Sequence, residues 1–159
     1  MRRAFAPLLA VLALASCSAA PTVLPSGAAC LPTIAHMRPP DEVIDFFGAG
    51  ARPPVARETL LAENWYGNDA MWVALPPRGE VVGRLDDKIP PYRLKRGHVQ
   101  YEAHRLDGVG TVSRQPLSDL DYGDISFQSG GPRFPSTGCW AVTYVLDGAY
   151  PLEFVLSVR

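Results

Sequence analysis

The chain has 159 residues, 47 % of them hydrophobic, with 15 lysine and arginine side chains against 16 aspartate and glutamate side chains. This balance leaves no basic surplus for binding a polyanion, so we expect no nucleic-acid partner. The 16 prolines and 14 glycines are too many for a helical bundle. Because they separate short apolar runs, they favour one all-β domain with many turns.

The N-terminus has the order of segments found in a secretory signal. Two arginines precede an apolar stretch over residues 5–15, and the small residue Ser16 then precedes Cys17. The stretch is too short to cross a bilayer core of about 30 Å, which predicts a removable signal. Leu-Ala-Ser-Cys, ending at Cys17, resembles the bacterial lipobox. That resemblance implies a lipoprotein signal peptide over residues 1–16 and a lipid on Cys17.

The same resemblance implies an address. The protein is expected in the cell envelope, facing the periplasm or the exterior, with a membrane as its partner through the lipid. Ser18 resembles the outer-membrane signal of Gram-negative lipoproteins, which usually lack aspartate at that position. The alternative is an ordinary cleaved signal in which Cys17 has no role.

The next segments lead into the folded domain. Residues 17–29 are mostly small, polar or proline, and they are predicted to be a flexible tether. Residues 30–159 are then expected to form a single β-sandwich of about seven or eight strands. Within it, residues 34–62 have an irregular pattern, with a possible short helix over residues 41–47 that Asp41 would cap. Whether residues 57–62 are helix or strand stays open.

Strand signals become regular from Trp65 onward, as β-rich runs separated by turn residues. Val99, Tyr101 and Ala103 alternate with polar side chains, which predicts one buried and one solvated face. Trp72 and Trp140 are expected to pack between the sheets. The last two runs predict a hairpin with a loop over residues 147–151. The predicted strands after Trp65 are Met71–Leu75 and residues 79–85, 98–106, 111–117, 125–129, 139–146 and 152–158.

Cys17, Cys30 and Cys139 are the three cysteines of the chain. Lipidation of the first would leave an even pair, and an exported chain reaches a compartment in which disulfides form. We therefore expect a disulfide between Cys30 and Cys139. The alternative is two separate thiols, with Cys139 buried and Cys30 in a mobile arm.

Three motifs carry a family resemblance. They are Trp-Val-x-Leu-Pro-Pro at residues 72–77, Arg-Leu-Asp-Gly at residues 105–108 and Phe-Pro-x-x-Gly-Cys-Trp-x-Val-Thr at residues 134–143. Over residue 30 and residues 65–158 the chain resembles a group of uncharacterised exported bacterial lipoproteins with an immunoglobulin-like β-sandwich. The resemblance implies this fold, this address and the same cysteine pairing, and it brings no catalytic role.

The sequence Ser-Thr-Gly-Cys, ending at Cys139, partly imitates the L,D-transpeptidases of peptidoglycan. Those enzymes continue with an apolar residue and arginine and have a histidine shortly upstream, whereas here the nearest upstream histidine, His104, is 35 positions away. A thiolate nucleophile needs a neighbouring base or cation. We therefore expect no enzymatic activity, with a divergent peptidoglycan-acting cysteine enzyme as the alternative.

Two sets of side chains are weaker candidates for a cation site. Asp119, Asp121 and Asp124 place three oxygens in one loop, as calcium prefers, although turn formation explains the same residues. Glu102 and His104 share one strand face about 7 Å apart and would need a third ligand. We expect no metal and no cofactor.

Trp65 and Tyr66 stand beside a turn and are the aromatic pair expected at the surface, where they could stack on sugar or peptide. The whole pattern predicts a lipid-anchored envelope protein with a non-catalytic role in binding, assembly or structure. A calcium- or ligand-binding module is a further alternative.

Overall fold

The computed structural model describes residues 29–50, 53–83, 85–118 and 125–159. These residues contain two α-helices, a 3-10 turn at Pro77–Gly79 and nine strands. The helices are α1 (Asp41–Gly50) and α2 (Arg57–Leu61). The strands are β1 (Asn64–Gly67), β2 (Met71–Leu75), β3 (Glu80–Val81), β4 (Tyr92–Arg93), β5 (Val99–Arg105), β6 (Thr111–Pro116), β7 (Ser126–Phe127), β8 (Gly138–Leu146) and β9 (Tyr150–Val158).

The strands form two sheets. Sheet A has the order β1-β2-β4-β7, and sheet B has the order β3-β9-β8-β5-β6. The long β8–β9 hairpin pairs nine residues on each side, and β3 joins β9 in parallel. The predicted all-β sandwich is therefore confirmed, with nine strands among the described residues.

The main core lies between the two sheets. Alternate residues of the hairpin point into it, and the inner face of sheet A adds Met71, Val73 and Leu75. Tyr144 is fully buried, and its hydroxyl donates a hydrogen bond of 2.9 Å to the carbonyl of Ile89. Since its only polar side-chain atom is paired, the ring stabilises the core without leaving an unsatisfied group.

A second core lies on the opposite face of sheet A, where α1 and α2 cover the strands. Val43 and Ile44 of α1 pack there with Trp65, Trp72 and Tyr92. The prediction that Trp72 packs between the sheets is therefore wrong, whereas Trp140 does pack there. Side chains alternate along β2, so the inward residues Met71 and Val73 place Trp72 on the helix side.

Both helices lie within residues 34–62, the range for which the sequence shows an irregular pattern. α1 continues to Gly50, past the expected end at residue 47, and residues 57–61 form α2. Arg57 of α2 donates hydrogen bonds to the carboxylates of Asp41 and Asp45 on α1. These contacts, and the apolar surface that the helices share with sheet A, stabilise helices in a segment whose own sequence pattern is weak. None of the helices among the described residues has the length and apolar character of a membrane span.

Strand bounds differ most from the predictions near the loops. The strand expected over residues 79–85 is reduced to β3, because Gly79 and Gly83, on its two sides, have φ angles of 63° and 74°. The strand expected over residues 125–129 is reduced to β7. β4, with only two residues after Pro91, has too little alternation to be predicted. The last hairpin has a loop of residues 147–149, because Pro151 belongs to β9.

Candidate functional site

Cys30 and Cys139 form a disulfide with Cα atoms 5.5 Å apart, across a sequence separation of 109 residues. Cys139 lies near the start of β8 and is 2 % exposed. The structure thus contains the expected pairing in place of two separate thiols. A sulfur bound in a disulfide has no thiolate to act as a nucleophile.

The chain after Cys30 forms an arm, residues 30–37, that joins the two sheets. The N–H of Thr33 donates to the carbonyl of Val155 at 2.9 Å, and the N–H of Val155 donates to Thr33 Oγ1 at 2.8 Å. Further along, the N–H of Met37 donates to the carbonyl of Trp65 at 2.9 Å. The arm therefore pairs with β9 of sheet B and then with β1, the edge strand of sheet A.

Asn64 holds the middle of this arm. Its side chain is buried, Oδ1 accepts from the N–H of Ala35 at 2.9 Å, and Nδ2 donates to the carbonyls of Thr33 at 3.0 Å and Pro76 at 3.4 Å. This buried amide fixes the position of the arm, since its loss would leave the partly buried polar groups of Thr33, Ala35 and Pro76 without this partner.

Arg105 explains why two of the sequence motifs occur together. Its Nε donates to Asp107 Oδ1 at 2.7 Å, and its Nη1 donates to Ser136 Oγ at 3.3 Å. The side chain crosses Gly138, where a Cβ would lie 2.6 Å from Arg105 Nε and φ is +143°. The hydrogen bond from Arg105 lowers the pKa of Asp107, and a backbone hydrogen bond at Cys139 acts in the same direction against the effect of burial. Residues 105–108 and 136–139 are thus one cluster beside the disulfide.

The end of the molecule around the disulfide is called here the disulfide pole. Its surface includes three exposed apolar side chains, Val109 at 100 %, Leu31 at 80 % and Val82 at 67 %. The opposite end, at the β8–β9 turn, is called the hairpin pole. There Lys95 Nζ contacts Asp69 Oδ2 at 2.8 Å and lies 4.1 Å from the centre of the Tyr150 ring.

The structure gives Glu102 a partner other than a metal. Arg114 donates to both oxygens of Glu102, from Nε at 3.1 Å and from Nη2 at 2.8 Å. The hydrogen bond from Arg114 lowers the pKa of Glu102 and raises the pKa of Arg114. Across residues 29–50, 53–83, 85–118 and 125–159, no three His, Cys, Asp or Glu side chains are grouped so as to hold a metal ion.

His104 is closer to Cys139 than the sequence indicates. It lies opposite Ala141 in the β5–β8 register, and Ala141 and Cys139 share one face of β8. The 35 positions between His104 and Cys139 concealed this neighbourhood, because antiparallel pairing brings distant residues together. The disulfide to Cys30 nonetheless occupies the sulfur.

The expectation that Trp65 is exposed is wrong. It is 1 % exposed, its Nε1 donates to the carbonyl of Leu60 at 2.5 Å, and its ring meets Phe47 edge-on with centroids 5.4 Å apart. The cause is the cover of helices over sheet A, which the sequence did not resolve. Tyr66 is half-buried against the main core, so the two side chains form no common surface.

A polar cavity of about 750 Å³ lies near the β5–β6 pair. The hydroxyl of Tyr101 accepts from the backbone N–H of Arg133 at 3.2 Å and from Gln115 Nε2 at 3.0 Å. The volume is in the range of small-molecule sites, although those are usually more apolar. Its charged and polar lining includes Asp86, Asp87, Lys88, Tyr101, Gln115 and Arg133.

Several predicted features lie outside the described residues. They are the signal peptide over residues 1–16, the lipidation site Cys17, the tether up to residue 28, and Asp119, Asp121 and Asp124. Lipidation at Cys17 stays a prediction, and the three aspartates stay weak candidates for calcium beside the expectation of no metal.

No protein-family model and no curated protein matches the chain. Among solved structures, the chain is similar to a Bacillus anthracis protein described as a candidate lipoprotein, at 14 % identity and a TM-score of 0.45. The similarity covers 61 % of this chain and 78 % of that one. The function proposed below therefore depends on residues of this chain.

Proposed function

We propose that the chain is an exported envelope protein, anchored to a membrane by a lipid on Cys17, whose β-sandwich has a non-catalytic role in binding, assembly or structure. The observation that carries the proposal is the disulfide between Cys30 and Cys139. Disulfides persist in exported proteins, and here one follows directly after a lipobox-like sequence and its tether.

The entry point of the chain into the domain supports an anchoring role. Cys30 comes 13 positions after Cys17, so the intervening chain can span at most about 43–47 Å. The disulfide and the arm fix the domain end of this segment to both sheets. A lipid on Cys17 would thus hold the disulfide-linked domain close to the membrane.

The state of Cys139 supports a non-catalytic role. The cysteine-enzyme alternative requires this side chain as a free, accessible thiolate. Instead its sulfur is bound to Cys30 and the residue is buried. The polar cavity beside Tyr101 gives the domain a place where a small polar ligand could bind without any chemical step.

Incorporation of a labelled fatty acid in the native host tests the anchor. We expect the wild-type chain to carry the label and to sediment with membranes, and the Cys17→Ala variant to do neither. Equal labelling and sedimentation of both chains would contradict the proposal.

An activity assay tests the non-catalytic role. We expect the purified protein to show no Cys139-dependent turnover of peptidoglycan fragments, either before or after reduction. Turnover that disappears in Cys139→Ala would support the enzyme instead.

A further inference from the structure

We propose that the disulfide pole is a membrane-contacting surface, where Leu31, Val82 and Val109 enter the interface of the bilayer that holds the lipid anchor. The domain then stands on the membrane with the hairpin pole directed away from it. This inference rests on the proposed anchor at Cys17 and adds an orientation that the anchor alone does not impose.

The pairing pattern places the three apolar side chains at one end of sheet B. Val82 follows β3, and the N–H of the next residue, Gly83, donates to the carbonyl of Arg159 at the end of β9. Gly138 of β8 lies opposite Val158 of β9, so β8 begins at this same end.

The loop that carries Val109 belongs to this end as well. Leu106 donates from its N–H to the carbonyl of Cys139 at 2.7 Å, which places residues 106–110 beside the start of β8. Leu31 adjoins the disulfide itself. Three strand spacings separate β3 from β5, so the side chains span roughly 15 Å.

Single exposed apolar residues are ordinary on a protein surface, whereas here the three most exposed ones lie at one end of the molecule. Val109 is completely exposed, and Leu31 and Val82 are exposed by 80 % and 67 %. At the hairpin pole, by contrast, Tyr150 is 41 % exposed, and Lys95 Nζ lies over one face of its ring. The most exposed large apolar side chains among the described residues are thus at the end where the chain enters.

Hydrogen bonds hold the backbone segments that carry Val82 and Val109. The Val109 loop is closed by a hydrogen bond of 2.9 Å from the N–H of Arg105 to the carbonyl of Gly110. Val82 is held by backbone bonds on both sides, from Arg159 to Val81 and from Gly83 to Arg159. Apolar side chains on ordered backbone can enter an interface without first losing the conformational freedom of a loose loop.

Arginine side chains flank this surface. Arg78 and Arg159 both pair with Glu80 at 3.2 Å, and their side chains are 80 % and 66 % exposed. Guanidinium groups bind phosphate oxygens in a bidentate manner. Next to an apolar patch, they suit the phosphate layer of a bilayer.

Because the lipid anchor keeps the domain near the membrane, a small contact area is enough to orient it. The segment between Cys17 and Cys30 reaches at most about 43–47 Å, while the nine residues of β8 span about 30 Å. Either pole could therefore touch the membrane, and the surface chemistry of the poles decides between them. Because the tether keeps the domain at a high local concentration near the bilayer, a weak contact is enough to orient it.

Tryptophan substitution at the two poles tests the orientation in the lipidated full-length protein. The native tryptophans are buried, with Trp65 at 1 %, Trp72 at 7 % and Trp140 at 0 % exposure. They still emit, so the signal of an added surface tryptophan is the difference between the spectra of the variant and the wild-type protein in the same vesicles. The variants are Val109→Trp and Val82→Trp at the disulfide pole, with Tyr150→Trp as the matched control. Each is reconstituted into phosphatidylcholine–phosphatidylglycerol vesicles that contain brominated lipid.

We expect a blue shift and a loss of the added emission for Val109→Trp and Val82→Trp, and no such change for Tyr150→Trp. Equal quenching at both poles, or no quenching at either, would overturn the orientation. Vesicle flotation separates the two claims. A chain that floats without selective quenching contradicts the orientation alone, whereas a chain that does not float contradicts the lipid anchor and the orientation with it.

Discussion

The two poles of the sandwich are both built on sheet B, yet their surfaces differ. At the hairpin pole the N–H of His98 donates to Asp147 Oδ1 at 2.8 Å, and Lys95 pairs with Asp69 and lies over one face of the exposed Tyr150 ring. At the disulfide pole Arg105 pairs with Asp107 and Ser136, and Arg78 and Arg159 pair with Glu80, while the three most exposed apolar side chains project outward. Both poles thus pair their charged groups, and they differ in the exposed apolar side chains that the proposed membrane contact would bury.

The disulfide pole also carries the long-range restraints of the fold. The disulfide, the arm and the Asn64 contacts all connect residues 30–37 to strands far along the sequence. The hairpin pole has long-range hydrogen bonds as well, such as those from His98 to Asp147 and from Asn68 to Pro151, but the disulfide is at the other end. We therefore expect substitutions at the disulfide pole to cost more stability than comparable ones at the hairpin pole.

Removal of the disulfide should have the largest effect. The double variant Cys30→Ala/Cys139→Ala frees a loop with a separation of 109 residues, which corresponds to about 4–5 kcal/mol in the chain-entropy model. Urea unfolding of the variant, compared with the intact protein under non-reducing conditions, measures this change. A decrease in the free energy of unfolding of less than about 1 kcal/mol would show that the disulfide adds little to the hydrogen bonds of the arm.

A matched pair of glycine substitutions compares the poles directly. Gly138→Ala places a Cβ 2.6 Å from Arg105 Nε at a φ of +143°, and we expect a loss of about 2–4 kcal/mol. Gly148→Ala has a φ of +73° and nothing within 4 Å, so the expected loss is about 1–2 kcal/mol. Thermal or urea unfolding gives both values, and a larger loss for Gly148→Ala would reverse the comparison.

Asn64→Ala should release the arm. It removes the partner of Ala35 and of Thr33, and leaving such groups unpaired costs about 1–3 kcal/mol. Amide hydrogen exchange should become faster at Thr33 and Ala35, with the β8–β9 turn unaffected. Unchanged exchange in the arm would mean that the disulfide alone positions it.

The decrease in the free energy of unfolding at acidic pH should depend more on Asp107 than on Asp69. Both pKa values are lowered, by Arg105 and by Lys95 respectively. A lowered pKa in the folded state gives stability that is present above the ordinary value of 3.8 and is lost as the pH falls below it. Asp69 is 78 % exposed and Asp107 31 %, so water and salt screen Asp69 more. Asp107→Asn should make the loss of stability less steep as the pH falls below about 4, and Asp69→Asn should leave it nearly unchanged. Urea titrations across that range decide, and equal flattening would contradict the difference.

Alternation along the strands was enough to predict the long hairpin and the face of β5 that is buried. The prediction fails where the burial of a residue depends on a neighbouring segment whose own pattern is weak. Trp65 and Trp72 are buried by helices from residues 41–61, a segment that reads as irregular. The proximity of His104 to Cys139 and the Arg105 cluster arise from strand register, which local pattern does not determine.

The disulfide pole and the arm are meaningful for function only if the chain is exported, lipidated and oxidised. Mass spectrometry of a non-reduced digest of the mature protein from its native host tests all three at once. The account predicts an acylated N-terminal peptide that begins at Cys17 and a cross-linked peptide that joins Cys30 to Cys139. An unmodified Cys17, or free thiols at Cys30 and Cys139, would contradict it.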